Sequence, residues 1–548
     1  MQLRMMPVLI LDEMRENSSM FNGVAFTVFI IFFLLVTVLG FLAARWRRGD
    51  LNLINEWGLA GRRFGTLVTW FLLGGDLYTA YTFIAVPAAM FGLGALNGWF
   101  AVPYTILVYP IIFVLMPKFW SVCKQRGYVT SADFVKGRFG SNTLAFAIAL
   151  TGIIATLPYI ALQMFGIQIS LAALGIPLTV SIGGLNIDLP LLIAFLILAA
   201  YTYTSGLRAP AMIAMVKDIM IFVVLIALLI VVPARLGGFG AIFGAAHAKA
   251  AASTTKAPFF EFLSPKQFWA YITLALGSAL ALFLYPHSMT SVLSSNSKNV
   301  VKRNTSLLPI YSLMLGLLAL TGYMAIAAHV KPLAPFGANG AVPALINLEF
   351  PSWFAGFAFA AISIGALVPA AVMSIAAANL FTRNIYKEYL RKNASDREES
   401  TVAKWASLVL KFGAVLFIIY IPTTQVINFQ LLGGIWILQT LPSVFLGLYT
   451  HWFNRWALLI GWFVAEVLGT ILFSVAGLKS VYAISIGGLS LPLMYIAFSM
   501  IILNLVLAII LTPIFNVVGL RRGRDVTSPA DYDVEERLPV EAGREALG

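Results

Sequence analysis

From residue 23 onward the chain repeats one pattern: a run of about 17 to 30 almost wholly apolar residues, then a short polar or charged stretch. Thirteen such runs occur, at roughly 23–44, 66–93, 98–117, 143–172, 189–205, 209–233, 267–290, 306–328, 352–381, 402–421, 424–449, 456–477 and 489–515. At about 1.5 Å rise per residue, each is long enough as a helix to cross a bilayer core of about 30 Å. Barrel strands would alternate over about 10 residues, so these continuous runs predict helices. They are called spans 1 to 13 here. The weakest boundary is the turn IPTTQ (421–425) between spans 10 and 11.

Composition agrees with a membrane protein: 60% of residues are apolar and 11% charged, against about 25% charged in soluble proteins. This excludes a soluble enzyme, a disordered regulator and a disulfide-built domain, since the one cysteine, Cys123, has no partner. The net charge of +13 does not indicate nucleic acid, because the basic residues cluster at span ends. With the N-terminus outside, 26 of the 36 lysines and arginines fall on one side, among them Arg45, Arg47, Arg48, Arg62 and Arg63. Lys217 and Lys411 lie within spans. The basic side is then cytoplasmic, and an odd number of spans puts the C-terminus inside. Residues 1–22 read as an extracytoplasmic segment rather than a cleavable signal, because Asp12, Glu13, Arg15 and Glu16 interrupt any apolar core. Residues 516–548, acidic after Arg524, read as a disordered cytoplasmic tail.

Ionisable residues inside spans are costly and point to function: Asp76, Lys217, Asp218 and Glu466, with Lys411 placed to reach the inner surface along span 10. Span 2 carries Gly74-Gly75 at its middle, followed by Asp76, Tyr78, Thr79, Tyr81 and Thr82. Span 7 carries Gly277 at its middle and Pro286 near its end. With span 1 set aside, spans 2–6 and 7–11 are two sets of five, each opening on an interrupted helix. Such matched interruptions mark carriers built on inverted repeats.

The blocks GRRFG (61–65), LPYIALQ (157–163), FTRNIYKEYL (381–390) and QLLGGIWILQTLPSVFLGLY (430–449) resemble the sodium/solute symporter family in order and spacing. YTYTSGLRAP (201–210) and VKDIMIF (216–222) are similar to its bacterial monocarboxylate permeases. The resemblance implies an all-α integral membrane protein of 13 transmembrane helices. It implies a transporter domain over 23–515, with two inverted five-helix repeats of the LeuT type at about 66–233 and 267–449. One extra helix precedes the repeats and two follow. The implied activity is uptake of lactate, pyruvate, propionate, acetate or alanine at a bacterial inner membrane, by symport and without enzymatic chemistry or a cofactor. The expected partners are substrate and lipid, with no nucleic acid and an open oligomeric state. Sodium-coupled uptake of an amino acid or other solute is the alternative. A membrane sensor is the alternative from another class.

The resemblance also implies where a coupling ion would sit. Sodium-coupled members hold the ion on two carbonyls at the break of span 2, here Gly75 and Tyr78. The remaining ligands are a small residue and a hydroxyl pair in span 9. Counted back from FTRNIY without a gap, the pair falls on Val368 and Pro369, which carry no side-chain oxygen. A gapped reading brings in Ser374 but leaves Ile375 in the second place. Lys217 stands where the family has a hydroxyl residue, beside Asp218. A buried ammonium can take over sodium's charge and exchange a proton, with Asp76 as counter-charge or second proton carrier. Proton coupling is therefore expected.

A substrate anion is expected near the midplane, favoured by half-helix N-termini. Its expected polar contacts are Thr79, Tyr81, Thr82, Tyr159, Gln163, Tyr285, Trp436 and Gln439, with Phe83 and Leu284 against its apolar tail. Glu466 reads as a packing or oligomer contact, and His287 as a cap or titratable group. The spacing of the histidines provides no metal site.

Overall fold

The computed structural model describes residues 21–46, 49–178, 180–182, 185–254, 258–420, 426–486 and 489–533. Arg47, Arg48, the IPTTQ turn, residues 1–20 and residues 534–548 lie outside the described residues. The chain is almost wholly helical, with three short antiparallel strand pairs in loops. Among the described residues, eight helices are long and apolar enough to cross a membrane, or up to ten if each of two bent pairs is one crossing.

The first half comprises α1 (Gly23–Leu42), α2 (Thr66–Gly75), α3 (Val86–Gly92), α4 (Ala101–Arg126), α5 (Ser131–Phe139), α6 (Asn142–Ala173), α7 (Leu189–Ser205) and α8 (Arg208–Arg235). After α9 (Phe239–Ala251) come α10 (Phe268–Leu282), α11 (Pro286–Leu293), α12 (Lys298–Leu307), α13 (Pro309–Ala319), α14 (Thr321–Ala327) and α15 (Ser352–Phe381). The last are α16 (Asp396–Tyr420), α17 (Val426–Leu438), α18 (Arg455–Val475) and α19 (Ile496–Val517). The centre is α15 packed on α6, both rich in Ala and Gly, so their backbones approach closely. Every residue of α15 from Ala358 to Leu380 is buried.

The span 2 interruption falls at the glycine pair. α2 ends at Gly75, and a π-helical turn at Tyr81–Ala85 leads into α3. A Cβ on Gly74 would lie 2.1 Å from the Tyr311 ring, so the ring needs a glycine there, and one on Gly75 would lie 3.0 Å from the Lys217 nitrogen, a tight approach. In span 7 the interruption falls at Pro286 and not at Gly277. The helix runs unbroken through Gly277, whose missing side chain admits the Tyr495 ring at 2.7 Å. The bend, 46°, lies between Leu282 and Pro286, where proline has no amide to continue the helix. A second bend of 42°, between Leu438 and Leu441, sits just before Pro442.

The tail as far as Asp533 is docked on the helix ends by hydrogen bonds and ion pairs, although most of its residues stay exposed or half-buried. Val526 donates its amide to Gly137 at 2.9 Å. Arg126 pairs with Asp531, Arg138 with Asp525, and Lys298 with Asp533. Acidic residues that read as disordered are the partners of basic residues at the ends of α4, α5 and α12.

Candidate functional site

The unwound residues 76–79 leave carbonyls inside the bundle that must find donors. Lys217, on α8 and fully buried, supplies them: its Nζ donates to the Gly75 oxygen at 2.8 Å and the Tyr78 oxygen at 3.0 Å. Its third neighbour is the Asp218 carboxylate at 3.2 Å, a charge contact. Two of its three N–H donors are thereby used, and the side chain does not extend to a membrane surface. Asp218, equally buried, accepts at its other oxygen from the Tyr311 hydroxyl at 2.7 Å. Tyr78 donates its hydroxyl to the Tyr311 carbonyl at 3.1 Å. The break of span 2, α8 and α13 are thus one polar network in an apolar interior.

Asp76 stands apart from it. Its Oδ2 accepts from Ser291 on α11 at 3.0 Å, and its Oδ1 is buried without a partner. The direct counter-charge of Lys217 is therefore Asp218. Asp76 instead ties the two interrupted spans together.

From α15, Gly365 faces the break: a Cβ there would lie 4.0 Å from the Tyr78 oxygen. Val368 and Pro369 follow one turn on, along the same helix face. The placement agrees with the ungapped register. Ser374 is turned elsewhere, donating to the Ala371 carbonyl at 2.9 Å and lying 3.3 Å from Ser407 on α16. Val368 and Pro369 offer no side-chain oxygen at this point, and Lys217 donates to the two carbonyls.

The expected substrate residues divide into two groups. Thr79, Thr82 and Gln163 serve the broken backbone. Gln163 accepts from the Ala80 amide at 3.0 Å, Thr79 accepts from the Tyr81 amide at 3.0 Å, and Thr82 donates to the Leu77 carbonyl. Tyr81, Tyr159 and Tyr285 line a cavity of about 20 Å³ together with Tyr104, Gln430 and Tyr495. That volume holds about one water, so the bundle is closed around this point. Phe83 and Leu284 are buried nearby in the chain.

The other two expected contacts are placed differently. Trp436 donates to Thr470 at 2.9 Å and lines an apolar groove with Glu466 between α6 and α18. Gln439 packs α17 on α19, donating to the Ile435 carbonyl at 2.9 Å while Asn504 donates to its backbone oxygen at 2.9 Å. Both follow Gly433-Gly434 in a motif whose polar residues turn outward to the two C-terminal helices. Glu466 accepts from Thr151 at 3.2 Å, a contact between α18 and α6. Lys411 does not reach a surface: it is 1% exposed and donates to Ser407 at 2.8 Å. Sequence reasoning missed Tyr311, Ser291 and Gly365, whose roles come from partners far away in the chain.

The sodium:solute symporter family matches residues 57–465. The chain is 55% identical to a monocarboxylate transport permease protein of Rhizobium johnstonii, over 85% of this chain and 92% of that one. It is 32% identical to the uncharacterized symporter YodF of Bacillus subtilis, over 90% and 94%. Its fold matches a solved Na+-coupled sialic acid symporter, in a substrate-bound outward-open state, with a TM-score of 0.69 at 16% identity, covering 90% of this chain and 98% of that one. An all-helical bundle with a broken helix at its centre, and relatives of this identity and coverage, make the protein an integral membrane transporter rather than an enzyme, and the chain belongs to the sodium:solute symporter family.

Proposed function

We propose that this transporter takes up short monocarboxylates (lactate, pyruvate, propionate, acetate or alanine) in symport with a proton. The observation that carries the coupling is the Lys217 ammonium seated on the Gly75 and Tyr78 carbonyls. The substrate class rests on the name of the Rhizobium relative. In this reading the chain crosses a bacterial inner membrane thirteen times, N-terminus outside and C-terminus inside. Residues 66–233 and 267–449 are the inverted repeats.

The protonated lysine holds α2 to α8 and neutralises Asp218. Loss of its proton to the inner side leaves a neutral amine, weakens its grip on both carbonyls and favours opening of the break. Asp76 and Ser291 join the same event to span 7. The tyrosine cavity is where a substrate anion is held once the bundle opens, with Tyr81, Tyr159 and Tyr285 as its polar contacts. Thr79, Thr82 and Gln163 shape the wall of that site.

Sodium coupling is the second reading, favoured by the family and by the Na+-coupled structural neighbour. Uptake of labelled lactate into proteoliposomes by the wild type, Lys217→Ala and Lys217→Gln separates the two. Loss of proton dependence in both variants supports the proposal, and wild-type proton dependence in either removes it.

A further inference from the structure

His287 is fully buried, and neither ring nitrogen has a hydrogen-bond partner. An imidazole always carries at least one N–H donor, and burying it unmade costs free energy. The ring caps nothing: the residue before α11, Tyr285, makes no side-chain cap, and His287 is the second residue of the helix. Its surroundings are aromatic. The Tyr159 and Tyr285 rings each lie 5.4 Å from it, centroid to centroid, and 5.8 Å from each other.

Two small cavities lie against the residues that adjoin His287 in the chain and in the ring cluster. Tyr159 and Tyr285 line the one of about 20 Å³. Pro286, the next residue, lines another of about 10 Å³ with Thr130, Ser131 and Thr290, at the end of the bundle where α5 lies. The chain therefore passes from one cavity to the other within two residues, and His287 follows directly. The start of α11 adds amides without helical acceptors, which favour an anion.

We propose that His287 is the polar station that receives the substrate carboxylate as it passes from the tyrosine cavity toward the α5 end. This rests on the monocarboxylate reading above. One ring N–H donates to a carboxylate oxygen when Tyr159 and Tyr285 part, and the amides of His287 and Ser288 complete the cradle. The ligand class is the small monocarboxylate of that reading, whose carboxylate oxygens take the ring N–H and the two amides.

The test is lactate transport by purified protein in proteoliposomes, with lactate binding followed separately by thermal shift. His287→Phe keeps the ring and removes both nitrogens, whereas His287→Gln keeps a donor. The expected result is a tenfold or greater fall in maximal uptake for His287→Phe, with KM and binding within threefold of wild type. His287→Gln keeps at least a third of the rate. Maximal uptake by His287→Phe within twofold of wild type overturns the station while leaving the monocarboxylate reading standing. A wild type that moves no monocarboxylate overturns both. Should His287→Phe not fold, the wild type still decides: lactate slows modification of His287 by diethyl pyrocarbonate, read by mass spectrometry, whereas a rate indifferent to lactate contradicts the proposal.

Discussion

Lys217 and Asp218 are consecutive residues, yet their charged atoms meet at 3.2 Å inside the bundle. Neighbouring positions on a helix point about 100° apart and do not normally face each other. Here both side chains converge because their other partners lie together. The broken backbone of Gly75 and Tyr78 draws the ammonium, and the Tyr311 hydroxyl draws the carboxylate. The pair is the joint at which span 2, α8 and α13 hold one another.

Breaking that joint is expected to destabilise the protein strongly. Lys217→Ala leaves Asp218 and two carbonyls buried without their cation, a loss of about 3–5 kcal/mol. Removing Asp218 as well is expected to cost less than the two single losses combined, by about 1–3 kcal/mol. Thermal unfolding of the two single variants and the double variant in detergent measures this. Strict additivity would mean that the contact has no energetic weight.

Tyr311→Phe removes one hydrogen bond to a buried carboxylate and leaves the Tyr311 carbonyl free to accept from Tyr78. A loss of about 1.5–3 kcal/mol is expected, with slower uptake. The same unfolding assay reads it, and an unchanged melting temperature would show that Asp218 does not depend on the hydroxyl.

Hydroxyls at the ungapped positions are expected to matter only when the lysine is gone. Val368→Ser with Pro369→Ser, in the presence of Lys217, leaves uptake indifferent to sodium. Adding Lys217→Ala frees the two carbonyls and confers sodium dependence. Uptake measured with sodium and with choline as the external cation distinguishes them. Sodium dependence already present with Lys217 intact would contradict this assignment of positions.

The docked tail is expected to be sensitive to acid and salt. Burial pushes the Asp531 carboxyl up, but hydrogen bonds from Arg126 and Ser528 outweigh it and hold it below the ordinary range. The hydrogen bond from Lys298 does the same for Asp533. Carboxylates held low stabilise the docked state above the ordinary value of about 4, and this contribution disappears as pH falls through their values in the fold. A nitroxide at Val526→Cys is therefore expected to gain mobility below about pH 4, and at high salt near neutral pH. A line shape constant from pH 7 to pH 3 would show that the ion pairs do not hold the strap.

Much of this architecture was legible before any coordinates, because a bilayer forces long apolar runs into helices and makes every interior charge conspicuous. Lys217, Asp218 and the Gly74-Gly75 break announced themselves in that way. In span 7 both Gly277 and Pro286 stand out, and only Pro286 marks the bend, because a mid-helix glycine looks alike whether it breaks a helix or admits a neighbour such as Tyr495. Trp436 and Gln439 stand in the QLLGGIWILQ block, but which way their side chains face depends on where α18 and α19 pack. Tyr311 and Gly365 carried no local signal, since their partners lie about a hundred or more residues away.

The coupling ion is the central claim, and gradients imposed one at a time on proteoliposomes test it most directly. An inward proton gradient without sodium is expected to drive labelled lactate accumulation in the wild type and to lose that effect in Lys217→Gln. Accumulation driven by a sodium gradient at equal pH, with none from the proton gradient, would contradict the account.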